Sequence, residues 1–130
     1  MNLPVTAACV EFARNVEALL KQASQQVRVP IEESLHNGVY VRTGFVPPGV
    51  IATGCLTKVP TTLIVIGKCK VSCAEGVIDV DGFACFETAA GRKTVFRTIT
   101  KTVTVMIFKT DARTTEEARR AMTDDVLLGE

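Results

Sequence analysis

The chain has 130 residues, enough for a single domain with a sizeable core. Hydrophobic residues make up 47% and charged residues 22%, which excludes a disordered chain. A net charge of +1, one tyrosine and no tryptophan leave neither a basic patch nor base-stacking platforms, so nucleic-acid binding is excluded as an expectation.

No basic region followed by an apolar core opens the chain, and apolar runs such as Leu63–Ile66 fall far short of the roughly 20 residues that span a bilayer. The expectation is a soluble protein made in a cytosol, without a membrane partner. Five cysteines, Cys9, Cys55, Cys69, Cys73 and Cys85, form an odd and scattered set, which argues for buried thiols, four of them in strands, rather than a disulfide framework.

In chain order, the first element is an amphipathic helix over about residues 6–25. Cys9, Phe12, Ala13, Val16, Leu19, Leu20 and Ala23 recur at three- and four-residue intervals, Thr6 offers an N-cap, and Pro30 bars extension. Its stripe is expected to cover a barrel or a neighbouring subunit. After Pro30 the period changes to two. Strands are expected at 39–46, 50–56, 61–66, 68–73, 77–80, 83–87, 94–98 and 102–108, with Pro47-Pro48-Gly49 and Asp81-Gly82 as turns. His36 falls in a loop before the first strand, where Asn37-Gly38 makes the bend. The last strand becomes wholly apolar in its second half and is expected to be covered on both faces. A C-terminal helix over 114–122 is capped by Thr114 or Thr115, with Glu116 and Glu117 in its first turn and Arg119 and Arg120 near its end. Beyond it, Leu127 and Leu128 with acidic flanks suggest a docking strip. Seven or eight short strands between two helices, the barrel spanning about 38–109, read as a mainly β single domain over 1–130, a sandwich, barrel or jelly roll.

Candidate chemistry is sparse. A transition-metal site needs three or four converging His, Cys, Asp or Glu ligands. The chain has one histidine, and Cys69 and Cys73, four apart in a strand, would be about 13 Å apart at roughly 3.3 Å per residue. His36 with Glu32 and Glu33 could form a base oriented by a carboxylate, but an exposed turn histidine is the simpler reading. Asp79, Asp81 and Glu87 around a hairpin give no distinguished acid–base pair. Gly91-Arg92-Lys93 could bind an anion, although a solvated hairpin tip is the commoner use of such a turn. Thr98, Thr100, Thr102 and Thr104 form a same-face polar row, suited either to subunit contacts or to solvent.

The leading helix, the strand ending in Pro47-Pro48-Gly49, Thr53-Gly54-x-x-x-Lys58, Thr61–Gly67, the Gly76-Val77 hairpin, Ala90-Gly91-Arg92-Lys93 and the Thr123-Asp124-Asp125 tail together resemble the small cupin-like proteins of tailed bacteriophages. The resemblance covers nearly the whole chain and implies a cupin-like jelly roll, or double-stranded β-helix barrel. In such relatives histidines flank the lysine of the first motif and a third lies in the second motif. Here Thr57 and Val59 flank Lys58, and the third position falls near Thr94. The resemblance therefore implies a barrel without metal ligands, cofactor or catalytic residues, in a homo-oligomer or on a symmetric particle. Its implied role is a non-enzymatic virion component, a capsid cement or decoration protein that binds phage coat or tail protein and copies of itself. A neck or tail component and a carbohydrate- or small-molecule-binding barrel are the alternatives.

Overall fold

A computed structural model describes residues 2–3, 5–22, 27–73 and 76–125. In chain order the elements are α1 (Ala7–Lys21), β1 (Ile31–His36), β2 (Val39–Val46), β3 (Ile51–Thr53), β4 (Thr61–Cys73), β5 (Gly76–Thr88), β6 (Val95–Thr98), β7 (Thr102–Lys109) and α2 (Thr115–Met122). The strands form one curled sheet in the order β1-β2-β7-β4-β6-β3, with β5 paired to β4. The fold is mainly β, with a helix near each end of the chain. None of the described helices is long and apolar enough to cross a membrane.

The curl originates in β4. One of its sides pairs with β5 from Thr61 to Cys73. The other pairs with β7 through 62–66 and then with β6 through 69–72. The change of partner falls at Gly67, which has φ +132° and where a Cβ would sit 2.6 Å from the Lys101 carbonyl oxygen. Only glycine permits both the conformation and the approach. Its partner across the ladder is Gly82, also at positive φ. Asp81-Gly82 is therefore a bend within one long strand, not the expected hairpin turn, and 61–73 and 76–88 are each single strands. Tertiary pairing overrides the local turn signal.

Other boundaries shift as well. α1 keeps the Thr6 cap, whose hydroxyl accepts the Cys9 N–H, and its described helix ends at Lys21; residues 23–26, including Ala23, lie outside the described residues. Within its stripe Cys9 and Ala13 are buried, whereas Leu19 is exposed. β1 is an additional strand, hidden in sequence because its inward positions include Glu33. It ends at the exposed His36, and Asn37-Gly38, both at positive φ, make the two-residue turn into β2 as expected. The strand expected over 50–56 contracts to Ile51–Thr53. α2 is capped by Thr114, whose hydroxyl accepts the Glu117 N–H.

Alternation and register place Glu33 and Leu35 of β1 on one inner face with Tyr40, Arg42 and Val46 of β2 and Thr102, Met106 and Phe108 of β7. Leu63, Val65, Phe86 and Phe96 share it. Two clusters fill this interior. Leu3, Leu63, Val65, Cys69, Val71, Val80, Ala84, Phe86 and Phe96 make an aliphatic and aromatic body. Tyr40, Met106 and Phe108 form the second with Ala118 and Met122 of α2, which closes that end like a plug.

The threonine row takes a different place from the one expected. Thr98 and Thr102 are buried, and Thr98 Oγ1 donates to the Pro47 carbonyl at 2.6 Å while accepting the Val50 N–H at 2.9 Å. Thr100 lies in the β6–β7 turn and caps the Lys68 N–H. These hydroxyls satisfy the backbone at a strand crossing and make no flat outer surface. The cysteines divide too: Cys9 and Cys69 are buried, Cys55 is half-buried in a loop and Cys85 is exposed. The Cys73 side chain and the acidic-flanked Leu127-Leu128 strip lie outside the described residues.

Candidate functional site

The polar end of the barrel is assembled from three backbone segments. Residues 54–58 continue β3, residues 91–94 precede β6, and residues 122–125 follow α2. Gly54 N–H donates to Thr94 O, Thr57 N–H to Arg92 O and Gly91 N–H to Thr57 O, so the β3–β6 pairing extends as an irregular ladder. On the far side Lys58 N–H donates to the Met122 carbonyl, and Thr123 Oγ1 donates to Leu56 O at 2.7 Å. The segment 54–58 is thus held between the other two.

The tail residues each have a partner here. Asp125 accepts the Leu56 N–H at 2.9 Å and pairs with Arg14 of α1 at 2.9 Å and with Lys93 at 3.3 Å. Asp124 pairs with Lys58 at 2.9 Å in an exposed position. Lys93 has no exposed side-chain surface. Its ammonium bonds Glu17 of α1 at 2.9 Å, the Gly54 carbonyl at 2.7 Å and Asp125. One buried lysine with three acceptors therefore fastens the N-terminal helix and the C-terminal tail to the barrel mouth. Burial raises the Glu17 carboxyl, but Lys93 and Thr53 outweigh it and leave the group below its ordinary range. Burial also raises Asp125, and the Leu56 N–H, Arg14 and Lys93 outweigh it.

Arg92, beside that lysine, is only 3% exposed. Its Nη1 donates to Thr94 Oγ1 at 3.1 Å and its Nη2 points at Met106 Sδ at 3.3 Å. Its backbone N–H donates to Thr57 Oγ1 at 3.2 Å. Gly91-Arg92-Lys93 is therefore an interior element, not a solvated hairpin tip. Burial lowers the pKa of this guanidinium and raises that of the nearby Cys55 thiol.

The positions at which the resemblance led to an expectation of non-ligands are in structural use. Thr57 and Thr94 both bond Arg92, and Val59 packs against the α2 plug. Thr57 bonds the Arg92 backbone and Thr94 its guanidinium, and two hydroxyls and a valine beside that cation do not fit a metal ion. Among the described residues no group of three or more His, Cys, Asp and Glu comes together elsewhere.

The remaining candidates do not converge. Glu33 faces inward, accepts the Tyr40 hydroxyl at 2.6 Å and pairs with Arg42 at 3.6 Å and Arg119 at 2.9 Å. His36 and Glu32 face outward on the same strand, so His36 and Glu33 lie on opposite faces. Asp79, Asp81 and Glu87 are exposed along β5, and Asp79 pairs with Lys70 at 2.7 Å. Sequence reading missed the Glu33–Tyr40–Arg42–Arg119 network and the burial of Arg92 and Lys93. One signal was available: Arg42 shares the parity of Tyr40 and Val46 in an alternating strand, which marks it as inward.

No protein-family model matches this sequence, and no curated protein matches it. Solved structures do. A cupin superfamily protein from Desulfitobacterium hafniense aligns with a TM-score of 0.53 at 11% identity, over 68% of this chain and 84% of that one. The fold is cupin-like. A structure of unknown function from Rhizobium leguminosarum covers 85% of this chain and 99% of its own, with a TM-score of 0.52 at 16% identity. A protein from Neisseria meningitidis aligns at 0.50 with 15% identity, over 70% and 96% of the two chains. At such identities the likeness concerns the fold alone. The cupin-like barrel here is closed at its polar end by α2, the tail and Lys93.

Proposed function

We propose that this cupin-like barrel is a non-enzymatic structural component of a tailed-phage virion, a cement or decoration protein that binds coat protein and copies of itself. The observation that carries the reading is the outer face of β2, β7, β4 and β5. Alternation and register gather Val41, Phe45, Val105, Ile64, Ile66 and Phe83 there, with Ile66 44% and Phe83 64% exposed. A contiguous apolar sheet face is the kind of surface that proteins reserve for a partner. The second half of β7, expected to be covered on both faces, leaves Val105 and Ile107 half-exposed in the single chain, where a partner would cover them.

The adhesive surface is thus the aliphatic outer face and not the threonine row. Repetition of a modest contact on a symmetric lattice multiplies its effect through multivalency. The virion setting rests on the phage resemblance of the sequence. Support for a non-enzymatic role comes from the barrel end closed by α2 and from the outward position of the one histidine. Mass spectrometry of purified particles should find the chain at a fixed ratio to coat protein; its absence from the particles would overturn the reading.

A further inference from the structure

The sheet has an open edge at β1. That strand ends the order of the sheet and pairs with β2 alone, so among the described residues no strand takes up its far side. Such an edge presents a row of backbone donors and acceptors that another strand can use. Which groups it presents follows from the turn. Asn37 and Gly38, both at positive φ, make a two-residue hairpin loop, and the residues flanking such a loop are a hydrogen-bonded pair. His36, Ser34 and Glu32, paired with Val39, Val41 and Thr43, therefore spend their backbone groups on β2. Leu35, Glu33 and Ile31 turn theirs to the open side.

The sequence of β1 is complementary to itself. A slip of one residue would turn inward side chains outward, so antiparallel self-pairing shifts only in steps that keep each residue on its own face. Centred on Glu32 or Glu33, the pairing sets that carboxylate against its own copy, which is unfavourable. Centred on Leu35, it keeps only the end of the strand. Centred on Ser34, it keeps nearly all of the strand and sets Glu32 against the partner's His36, and His36 against the partner's Glu32. Glu32, Ser34 and His36 are all exposed. In this register they form pairs without mutual backbone bonds, the closer kind, with Cα atoms about 4.5 Å apart. An imidazole donates to a carboxylate in either of its protonation states. Glu33 meets the partner's Leu35, and its charge is already matched by Arg42 and Arg119. We propose that β1 pairs antiparallel with β1 of a second copy about a two-fold axis at Ser34, joining two barrels through one continuous sheet. The contact uses the sheet edge and is independent of the apolar outer face and of the virion setting.

The test is sedimentation velocity of the intact chain over a concentration series, in which the wild type should show reversible self-association. His36→Glu sets a carboxylate against the partner's Glu32 in both symmetric pairs and should weaken association about tenfold. Glu32→Lys removes both attractions and should weaken it as well. Combining the two substitutions in one chain, or mixing the two single variants, again places opposite charges across the axis and should return association to near the wild-type level. Both positions are exposed, so the variants should keep the wild-type melting temperature. A wild type that stays a single chain at every concentration would overturn the proposal, as would a double variant no tighter than His36→Glu. Association kept in His36→Glu but lost in Phe83→Glu would also overturn it, and would leave the outer face as the contact.

Discussion

The two ends of the barrel interior are built on different physics. Around β4 and β5 the space is filled by Leu63, Val65, Val71 and Phe86, with no charged group in the cluster. At the mouth, Lys93, Arg92, Glu17 and Asp125 do much of the joining, and they connect segments far apart in sequence. The first end depends on close packing and is indifferent to pH. The second depends on matched charges that hold α1 and residues 123–125 to the barrel.

The largest effect should come from the packed end. Phe86 is fully buried against the β4 ladder. Phe86→Ala should lower unfolding free energy by about 3–5 kcal/mol through lost burial and the cavity left behind. Urea denaturation should give the same loss at pH 5 and pH 8. A strong pH dependence in that difference would erase the proposed division between the ends.

Lys93→Met tests the charged end with a side chain of similar length. Removing the ammonium leaves Glu17, Asp125 and the Gly54 carbonyl without their shared donor. Breaking one partner of a buried ion pair costs about 3 kcal/mol. The loss should be local: amide exchange in α1 and residues 123–125 should quicken, while the β4–β5 ladder keeps its protection. Uniform loss across both regions would show that the clasp and the body are one cooperative unit.

Acid should separate the ends without a mutation. The ordinary values are 4.5 for Glu17 and 3.8 for Asp125, and both carboxyls sit lower in the folded chain. Their contribution is therefore fully present above those ordinary values and is lost as pH falls through the lower folded ones. Below about pH 4, exchange protection in α1 should decline before that of β4 and β5. An α1 that stays as protected at pH 3 as at pH 6 would contradict the clasp.

How much of this was readable in the sequence follows from the same division. Wherever local physics decides, the sequence is explicit: the Thr6 cap, the choice of Thr114 or Thr115 for the second helix, the Asn37-Gly38 turn and the strands from Val39 and Thr102; the cupin-like barrel itself comes from the family resemblance. Wherever two distant segments decide together, it is silent. Asp81-Gly82 has turn chemistry, yet Gly67 across the ladder makes it a bend. Gly91-Arg92-Lys93 has the composition of a surface tip, yet Thr57, Glu17 and Asp125 draw it inside. Composition shows that Arg92 and Lys93 are costly to bury, but not that partners 35 and 76 residues away in the chain are waiting for them.

The smallest effect on stability should come from the outer face, and there the contrast between ends gives way to a contrast between inside and outside. Phe83 is 64% exposed and opposes Ile66 across the β4–β5 ladder. Replacing Phe83 with glutamate removes little intramolecular burial, so the single chain should lose no more than about 0.5 kcal/mol, and replacing the more covered Ile66 about 1 kcal/mol. If the face is adhesive, the same change puts a charge into the centre of an apolar contact, where an unpaired carboxylate is strongly disfavoured. Sedimentation velocity should therefore show Phe83→Glu and Ile66→Glu shifting from assembled to single chains at concentrations where the wild type stays associated. Oligomers unchanged by both substitutions would place the contact elsewhere and remove the main support for adhesion through this face.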